Sequence, residues 1–219
     1  MVTVPSAAVR TFKVRRRVTP GQADALARLL PVYGVAGATP FSPVRAFGRE
    51  APLVLEIGSG MGEATAAMAA ADPDRDLLAV EVHTPGLGTL LRRIEDAGLT
   101  NVRVLEGDAR EVLAQLLAPG SLDEVRVFFP DPWPKARHLK RRLVTAEFAA
   151  LVASRLRPGG RLHVATDWAS YAAQVEQVLA GSAEYEVVAR DREARPVTRF
   201  EQRGLDAGRQ PYDVVARRR

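Results

Sequence analysis

Apolar residues gather in short dense runs, and helix-length segments lie between them. Pro52 to Ile57, Leu77 to Glu81, Val102 to Leu105, Val125 to Phe129 and Leu162 to Ala165 have strand length. The segments around them, Glu63 to Ala71, Gly88 to Ala97, Arg110 to Leu117, Thr145 to Leu156 and Ala169 to Leu179, suit helices. Such alternation predicts βαβ units around a parallel sheet. Arg157-Pro158-Gly159-Gly160 reads as a tight turn feeding the fifth strand. Tyr185 to Ala189 and Tyr212 to Val215 predict two further strands with no helix between them, a hairpin-like pair in which one strand runs antiparallel. The expected fold class is α/β, with a mostly parallel seven-stranded sheet, one antiparallel strand and helices on both faces.

Ahead of the first strand, Thr19-Pro20-Gly21 opens a helix through Leu30, with Thr19 as N-cap and Pro20 in the first turn. Residues 31 to 50 are rich in proline and glycine and read as a loop. There is no internal repeat. A single domain over 19–219 is expected, behind a flexible basic arm over 1–18.

Composition narrows the chemistry. The 219 residues are 47% hydrophobic and 26% charged, ordinary for a soluble globular chain. With no cysteine, disulfides and thiolate metal sites are excluded, and a reducing, cytoplasmic setting is expected. His83, His138 and His163 show no ligand spacing, so no metal is expected. Neither a secretory apolar run nor a membrane-length one is present. The net charge of +5 favours an acidic partner. Arg10, Lys13, Arg15, Arg16 and Arg17 form an arm without an acid, whereas Arg217 to Arg219 read as a solvated tail.

The densest chemistry lies from Phe128 to Arg142. One carboxylate, Asp131, and one aromatic, Trp133, sit among Pro130, Pro132 and Pro134. Five cations follow: Lys135, Arg137, Lys140, Arg141 and Arg142. Of the 31 basic residues in the chain only Lys13, Lys135 and Lys140 are lysines. An ammonium is a compact point charge and a guanidinium a planar fork, so Lys135 reads as chosen for a phosphate.

A second site opens at Leu53-Val54-Leu55-Glu56-Ile57-Gly58-Ser59-Gly60-Met61-Gly62-Glu63, a strand, a glycine turn and a helix start. Dinucleotide binders use nearly the same spacing. Glu56 and Glu63 flank these glycines, however, with the wrong sign for a pyrophosphate. The second strand ends in Val80-Glu81-Val82-His83, where an acid can take both ribose hydroxyls, and Gly107-Asp108-Ala109 follows the third, where an acid can take an adenine amine. Any one of these acids could be a helix cap. Three at corresponding strand ends describe an adenosine-bearing, cationic ligand without phosphates, and S-adenosylmethionine fits.

These residues together resemble the bacterial tRNA (guanine-N7-)-methyltransferase family, a branch of the Rossmann-like class I methyltransferases that use S-adenosylmethionine. The resemblance runs from Phe12 nearly to the C-terminus. Its marks are Glu56-Ile57-Gly58 with Gly60 to Glu63, Glu81-Val82-His83 with Pro85-Gly86, Phe129 to Lys135 with Arg137-His138, Thr166-Asp167-Trp168, and Thr198 to Glu201 with Gly204. It implies transfer of a methyl group to N7 of a guanine in tRNA, at position 46 of the variable loop, with no obligate protein partner. Glu56, Gly58, Gly60, Gly62, Glu81, Val82, His83, Asp108, Ala109 and Asp131 would hold or adjoin the cofactor. Lys135, Asp167, Thr198, Arg199, Phe200 and Glu201 would contact tRNA, and Asp131 would be catalytic. Ser59 stands where a bulkier aromatic is expected, Thr84 where a basic residue is usual, and Ala136 interrupts a usual lysine pair.

Guanine N7 has an in-plane lone pair and no proton, so attack needs no general base. Asp131 is expected to hold the guanine edge or to offset the charge building on the ring. Trp133 either stacks on the base or anchors its loop in the core. Asp167 either reads a guanine or ribose donor or caps the next helix, and Phe200 is either a contact or a packing plug. Arg141 and Arg142 read equally as a charged helix face. Three rivals stay open: methylation of an exocyclic amine, a non-catalytic RNA-binding module, and a nicotinamide-dependent dehydrogenase.

Overall fold

The computed structural model describes residues 17–35 and 40–219. Most of the basic arm lies outside them. The chain divides into two compact units between Ala118 and Pro119. Among the described residues seven strands carry the sheet, in the order β3-β2-β1 in the first unit and β4-β5-β7-β6 in the second.

In the first unit, helix α1 (Pro20–Tyr33) opens as expected on Thr19. The Thr19 hydroxyl accepts from Gln22 N at 3.3 Å while the Gln22 side chain accepts from Thr19 N at 2.9 Å, so two amides at the helix start are satisfied reciprocally. The helix continues three residues past Leu30, through Pro31. A short helix α2 (Pro43–Phe47), capped by Ser42 and stopped by Gly48 at φ 75°, fills more of the expected loop. Strands β1 (Leu53–Ile57), β2 (Asp76–Glu81) and β3 (Val102–Glu106) pair in parallel, Ile57 opposite Val80 and Glu81 opposite Glu106. Every residue of β1 and β2 is buried, as parallel strands covered on both faces require.

Helix α3 (Glu63–Ala71) follows β1, and α4 (Thr84–Asp96) follows β2. Leu87, Leu90, Leu91 and Ile94 make the buried stripe of α4 and pack with Val54, Leu77 and Val104. This helix begins four residues before the expected Gly88. Pro85 suits a first turn, and the glycines are there for close contact rather than as breakers: a Cβ on Gly86 would lie 2.4 Å from Gly60 O, and one on Gly88 2.9 Å from Gln22 O. Of the helix expected over Arg110 to Leu117, only the turn α5 (Ala109–Glu111) is α-helical, followed by a π-type turn over Val112–Leu116.

The second unit holds β4 (Leu122–Phe128), α6 (Ala146–Arg155), β5 (Leu156–Thr166), α7 (Ala169–Ala180), β6 (Tyr185–Ala189), α8 (Arg199–Asp206) and β7 (Tyr212–Arg218). Strands β4 and β5 are parallel, and β7 runs antiparallel to both β5 and β6. The expected turn at 157–160 bulges from the start of β5: Leu122 pairs with Leu156 and Glu124 with Arg161, while Gly159 takes φ 78°. The final strands are adjacent and antiparallel as expected, but α8 stands between them in sequence. Its polar run lacks an apolar stripe long enough to announce a helix. No helix among the described residues is long and apolar enough to cross a membrane.

Candidate functional site

The carboxyl ends of β1, β2 and β3 carry the residues expected to hold a cofactor. Glu56 is buried within β1. Gly58, Gly60 and Gly62 all take left-handed backbone, at φ 77°, 57° and 74°. A Cβ on Gly58 or Gly60 would meet nothing within 4 Å, so this corner is open and the glycines are needed for their backbone. At Gly62 the need is steric as well, since a Cβ would lie 2.5 Å from Leu90 Cδ1.

Glu81 braces the corner. Its Oε2 accepts from Gly60 N at 2.7 Å, and its Oε1 accepts from Val82 N at 2.7 Å and His83 N at 2.9 Å. This carboxylate ties the glycine turn to the start of α4. A carboxylate has about four lone-pair sites, so the three amides leave room for one donor from a ligand rather than for a full pair of ribose hydroxyls. Asp108 accepts from Arg110 N at 2.8 Å and thereby caps α5, with Ala109 buried behind it. Thr84, at the first position of α4, donates its hydroxyl to Glu106 at 2.6 Å. Glu63 pairs with Arg93 at 3.3 Å, so its charge no longer argues against phosphate; Glu56 and Glu81 carry that argument.

The Ser59 hydroxyl in this turn is buried and has no hydrogen-bond partner among the described residues. Leaving such a group unsatisfied costs about 1–3 kcal/mol. An open glycine corner, an unsatisfied hydroxyl and a row of carboxylates fit an adenosine ligand with a cationic end.

In the second unit the carboxyl ends of β4 and β5 carry the expected substrate side. Phe129 N donates to Ala165 O at 2.7 Å, and the chain then turns through two left-handed non-glycine residues, Phe129 at φ 52° and Trp133 at φ 43°. These flank Asp131. Such conformations cost of order 1–3 kcal/mol each and persist only where packing imposes them. Trp133 is buried, with the His138 ring on its edge at 5.7 Å and the Arg141 guanidinium 4.9 Å from its centroid. It anchors the loop. Arg142, expected on a charged face, is buried instead. It donates to Pro132 O at 2.8 Å, Ser170 O at 3.1 Å, Ser170 Oγ at 3.0 Å and Gln174 Oε1 at 2.9 Å, and lies over the Tyr171 ring. Lys135, Arg137 and Lys140 are exposed along the 3-10 turn Ala136–Arg141 and its entry. Desolvation, and then the cations Arg141, Arg137 and Lys135, hold His138 below the usual imidazole range.

Asp167 accepts from Arg209 Nε at 2.7 Å, and the helix after it starts without a side-chain cap. Thr198 caps α8, its hydroxyl accepting from Glu201 N at 3.2 Å. Arg199 and Phe200 are exposed, whereas Glu201 is 1% exposed and accepts from Arg192 at 2.5 Å and Arg195 at 2.6 Å. Arg195, also buried, donates to both oxygens of Asp213, at 2.8 and 2.7 Å, and Asp213 is in turn 2.8 Å from His163 Nε2. Two guanidiniums thus face two carboxylates. Burial raises the Asp213 pKa, but hydrogen bonds from His163 and Arg195 outweigh it and hold the carboxyl below its ordinary value.

A family model described as "Putative methyltransferase" matches residues 50–214. A tRNA (guanine-N(7)-)-methyltransferase of Streptomyces avermitilis is 52% identical over 96% of this chain and 75% of its own length. One of Nitrosospira multiformis is 49% identical over 98% of this chain and 96% of its own. The chain belongs to the tRNA (guanine-N(7)-)-methyltransferase family. Solved structures support the Rossmann-like fold: an rRNA methylase of Streptococcus thermophilus superposes with a TM-score of 0.53 at 18% identity, over 77% of this chain and 87% of that one. A Haemonchus contortus phosphoethanolamine N-methyltransferase, solved in complex with S-adenosyl-L-methionine, does so with a TM-score of 0.50 at 16% identity, over 90% and 57%.

In this family member the first unit carries Glu56, the three glycines, Glu81, Val82, His83, Asp108 and Ala109 at and just after the carboxyl ends of β1–β3. The second gathers Thr198 to Glu201 around Arg195 and the end of β4. Sequence reasoning missed Arg142, Arg195, Arg209 and the His163–Asp213 pair. A signal existed for the last: one polar residue in each of the apolar strands LHVA and DVVA, best explained by partners across the sheet.

Proposed function

We propose that the chain transfers a methyl group from S-adenosylmethionine to N7 of a guanine in tRNA, at position 46 of the variable loop, in the cytoplasm and without a metal. Residues 19–219 would serve this one reaction behind the basic arm. The observation that carries the reading is the row of carboxylates around an open glycine corner, which suits an adenosine ligand with a cationic centre. Glu56, Gly58, Gly60, Gly62, Glu81, Val82, His83, Asp108 and Ala109 would hold it, with Asp131 beside it. Ser59 would find there the partner its buried hydroxyl lacks. Bound there, the cofactor would supply an electrophilic methyl, which N7 would gain as the sulfonium lost it; the positive charge would pass to the purine, so the residues around it need move no proton.

The chain's own residues then have three tasks. Asp131 orients the guanine through its N–H donors or offsets the charge on the ring. Lys135, with Arg137 and Lys140, binds phosphate. Asp167 and Thr198 to Glu201 fix the nucleotide, Thr198 and Glu201 acting largely through the shape of α8. Since alignment supplies much of such a rate, a strained, pinned loop around Asp131 suits the task. Incubating the chain with unmodified tRNA and methyl-labelled cofactor, then mapping the product, tests the reading. Methyl on an exocyclic nitrogen, or none on any tRNA despite cofactor binding, would sink it.

A further inference from the structure

We infer that Phe200, backed by Phe129 and Arg195, is a stacking platform for the target guanine that gains attraction as the base becomes charged. The inference rests on the methyl-transfer reading above. Phe200 is 54% exposed at the second position of α8, and its backbone is fixed by the Thr198 cap. Its ring lies against Phe129, centroids 5.4 Å apart at 52°. Phe129 is held at positive φ two residues before Asp131, with the buried Arg195 guanidinium 5.0 Å from its ring centroid. Arg195 is locked by Asp213 and Glu201, so the layer beneath Phe200 cannot easily shift.

A lone exposed phenylalanine is unremarkable. Here a strained backbone and a buried, doubly paired cation hold one aromatic ring against another, two residues along the chain from the expected catalytic carboxylate. RNA readers place splayed-out bases on such faces. Lys135, Arg137 and Lys140, exposed in the same unit, suit the phosphates of such a strand. A phenyl face carries negative potential, so it binds a cationic purine better than a neutral one. Interactions stronger in the transition state than in the ground state raise the rate of the chemical step.

The test compares the wild-type chain with Phe200→Leu and Phe200→Trp. Two quantities are measured: the single-turnover methylation rate, and the affinities for unmodified tRNA and for the same tRNA bearing 7-methylguanosine, with S-adenosylhomocysteine present. In Phe200→Leu the preference for methylated over unmodified tRNA should fall roughly two- to thirtyfold, and the rate by a similar factor. Phe200→Trp should restore both. A leucine variant with wild-type rate and preference makes Phe200 a packing side chain and overturns the inference, as does equal weakening toward both tRNAs. If the wild-type chain methylates some other atom, the methyl-transfer reading fails, while the binding comparison still judges the platform.

Discussion

Replacing Arg195 with methionine should markedly destabilise the second unit. Arg195 and Glu201 are each 1% exposed and Asp213 is 5% exposed, so removing the guanidinium strands two carboxylates where water cannot reach them. Breaking a buried pair in this way costs about 3–5 kcal/mol. The lower figure applies, because Glu201 keeps Arg192 at 2.5 Å and Asp213 keeps His163 at 2.8 Å. A loss of about 3 kcal/mol corresponds to roughly 6–12 °C in melting temperature for a chain of this size. Both tryptophans, Trp133 and Trp168, lie in the second unit, so urea unfolding followed by tryptophan fluorescence reports on it directly. The pH profile gives an independent reading. Asp213 is depressed below its ordinary pKa, so its contribution is present above the unfolded value of about 3.9 and lost as pH falls through the folded value. In the variant one of its two hydrogen-bonding partners is gone, its pKa rises, and acid unfolding begins at higher pH. Adding Asp213→Asn should recover part of the loss by removing one stranded charge. Unchanged stability at pH 7 with an unchanged acid limb would refute the reasoning.

Asp131→Ala should abolish turnover while tRNA binding is largely kept, as read by methyl incorporation beside filter binding; near-normal turnover would remove Asp131 from the chemistry. Arg142→Ala breaks four hydrogen bonds and the stacking over Tyr171, and should cost about 2–4 kcal/mol and open 130–142 to limited proteolysis; wild-type resistance there would refute the pin. Deleting residues 1–17 should weaken tRNA binding and flatten its salt dependence by about 0.7–0.9 for each phosphate that the arm no longer neutralises; an unchanged slope would make the arm a passive tail.

The parallel strands were legible because each is a dense apolar run, and β1 and β2 are indeed buried along their whole length. The strand ends were legible, and with them the places of Glu81 and Asp108, but not the structural uses both side chains have: Glu81 ties Gly60 to the start of α4 and Asp108 caps α5. The start of α4 was placed four residues late, since composition alone does not show that Gly86 packs where Gly60 O comes within 2.4 Å of a would-be Cβ. Helix α8 was invisible for a different reason: it is held by a Thr198 cap and by Glu201 in ion pairs rather than by an apolar stripe. Arg142 and Arg195 were hidden by arginine abundance. A buried guanidinium looks like any other in sequence, and only the bonds to Pro132 O and to Asp213 tell it apart.

Those two arginines explain why the loop around Asp131 keeps its shape. Phe129 and Trp133 are both left-handed, at a combined cost of roughly 2–6 kcal/mol that local sequence cannot offset. Arg195 and Arg142 tie the two ends of the loop to distant elements, and Arg141 also lies over the Trp133 ring. Arg195 lies over the Phe129 ring while tied to β7 and α8, and Arg142 holds the carbonyl of Pro132, next to Trp133, while tied to α7. The strain is therefore balanced by residues distant in sequence, and the late segment from Arg192 to Asp213 is part of what positions an early carboxylate. It follows that damage at Arg195 should be felt in turnover even at temperatures where the unit stays folded. A variant that is fully folded, by tryptophan fluorescence, and fully active would separate the buried charges from the site.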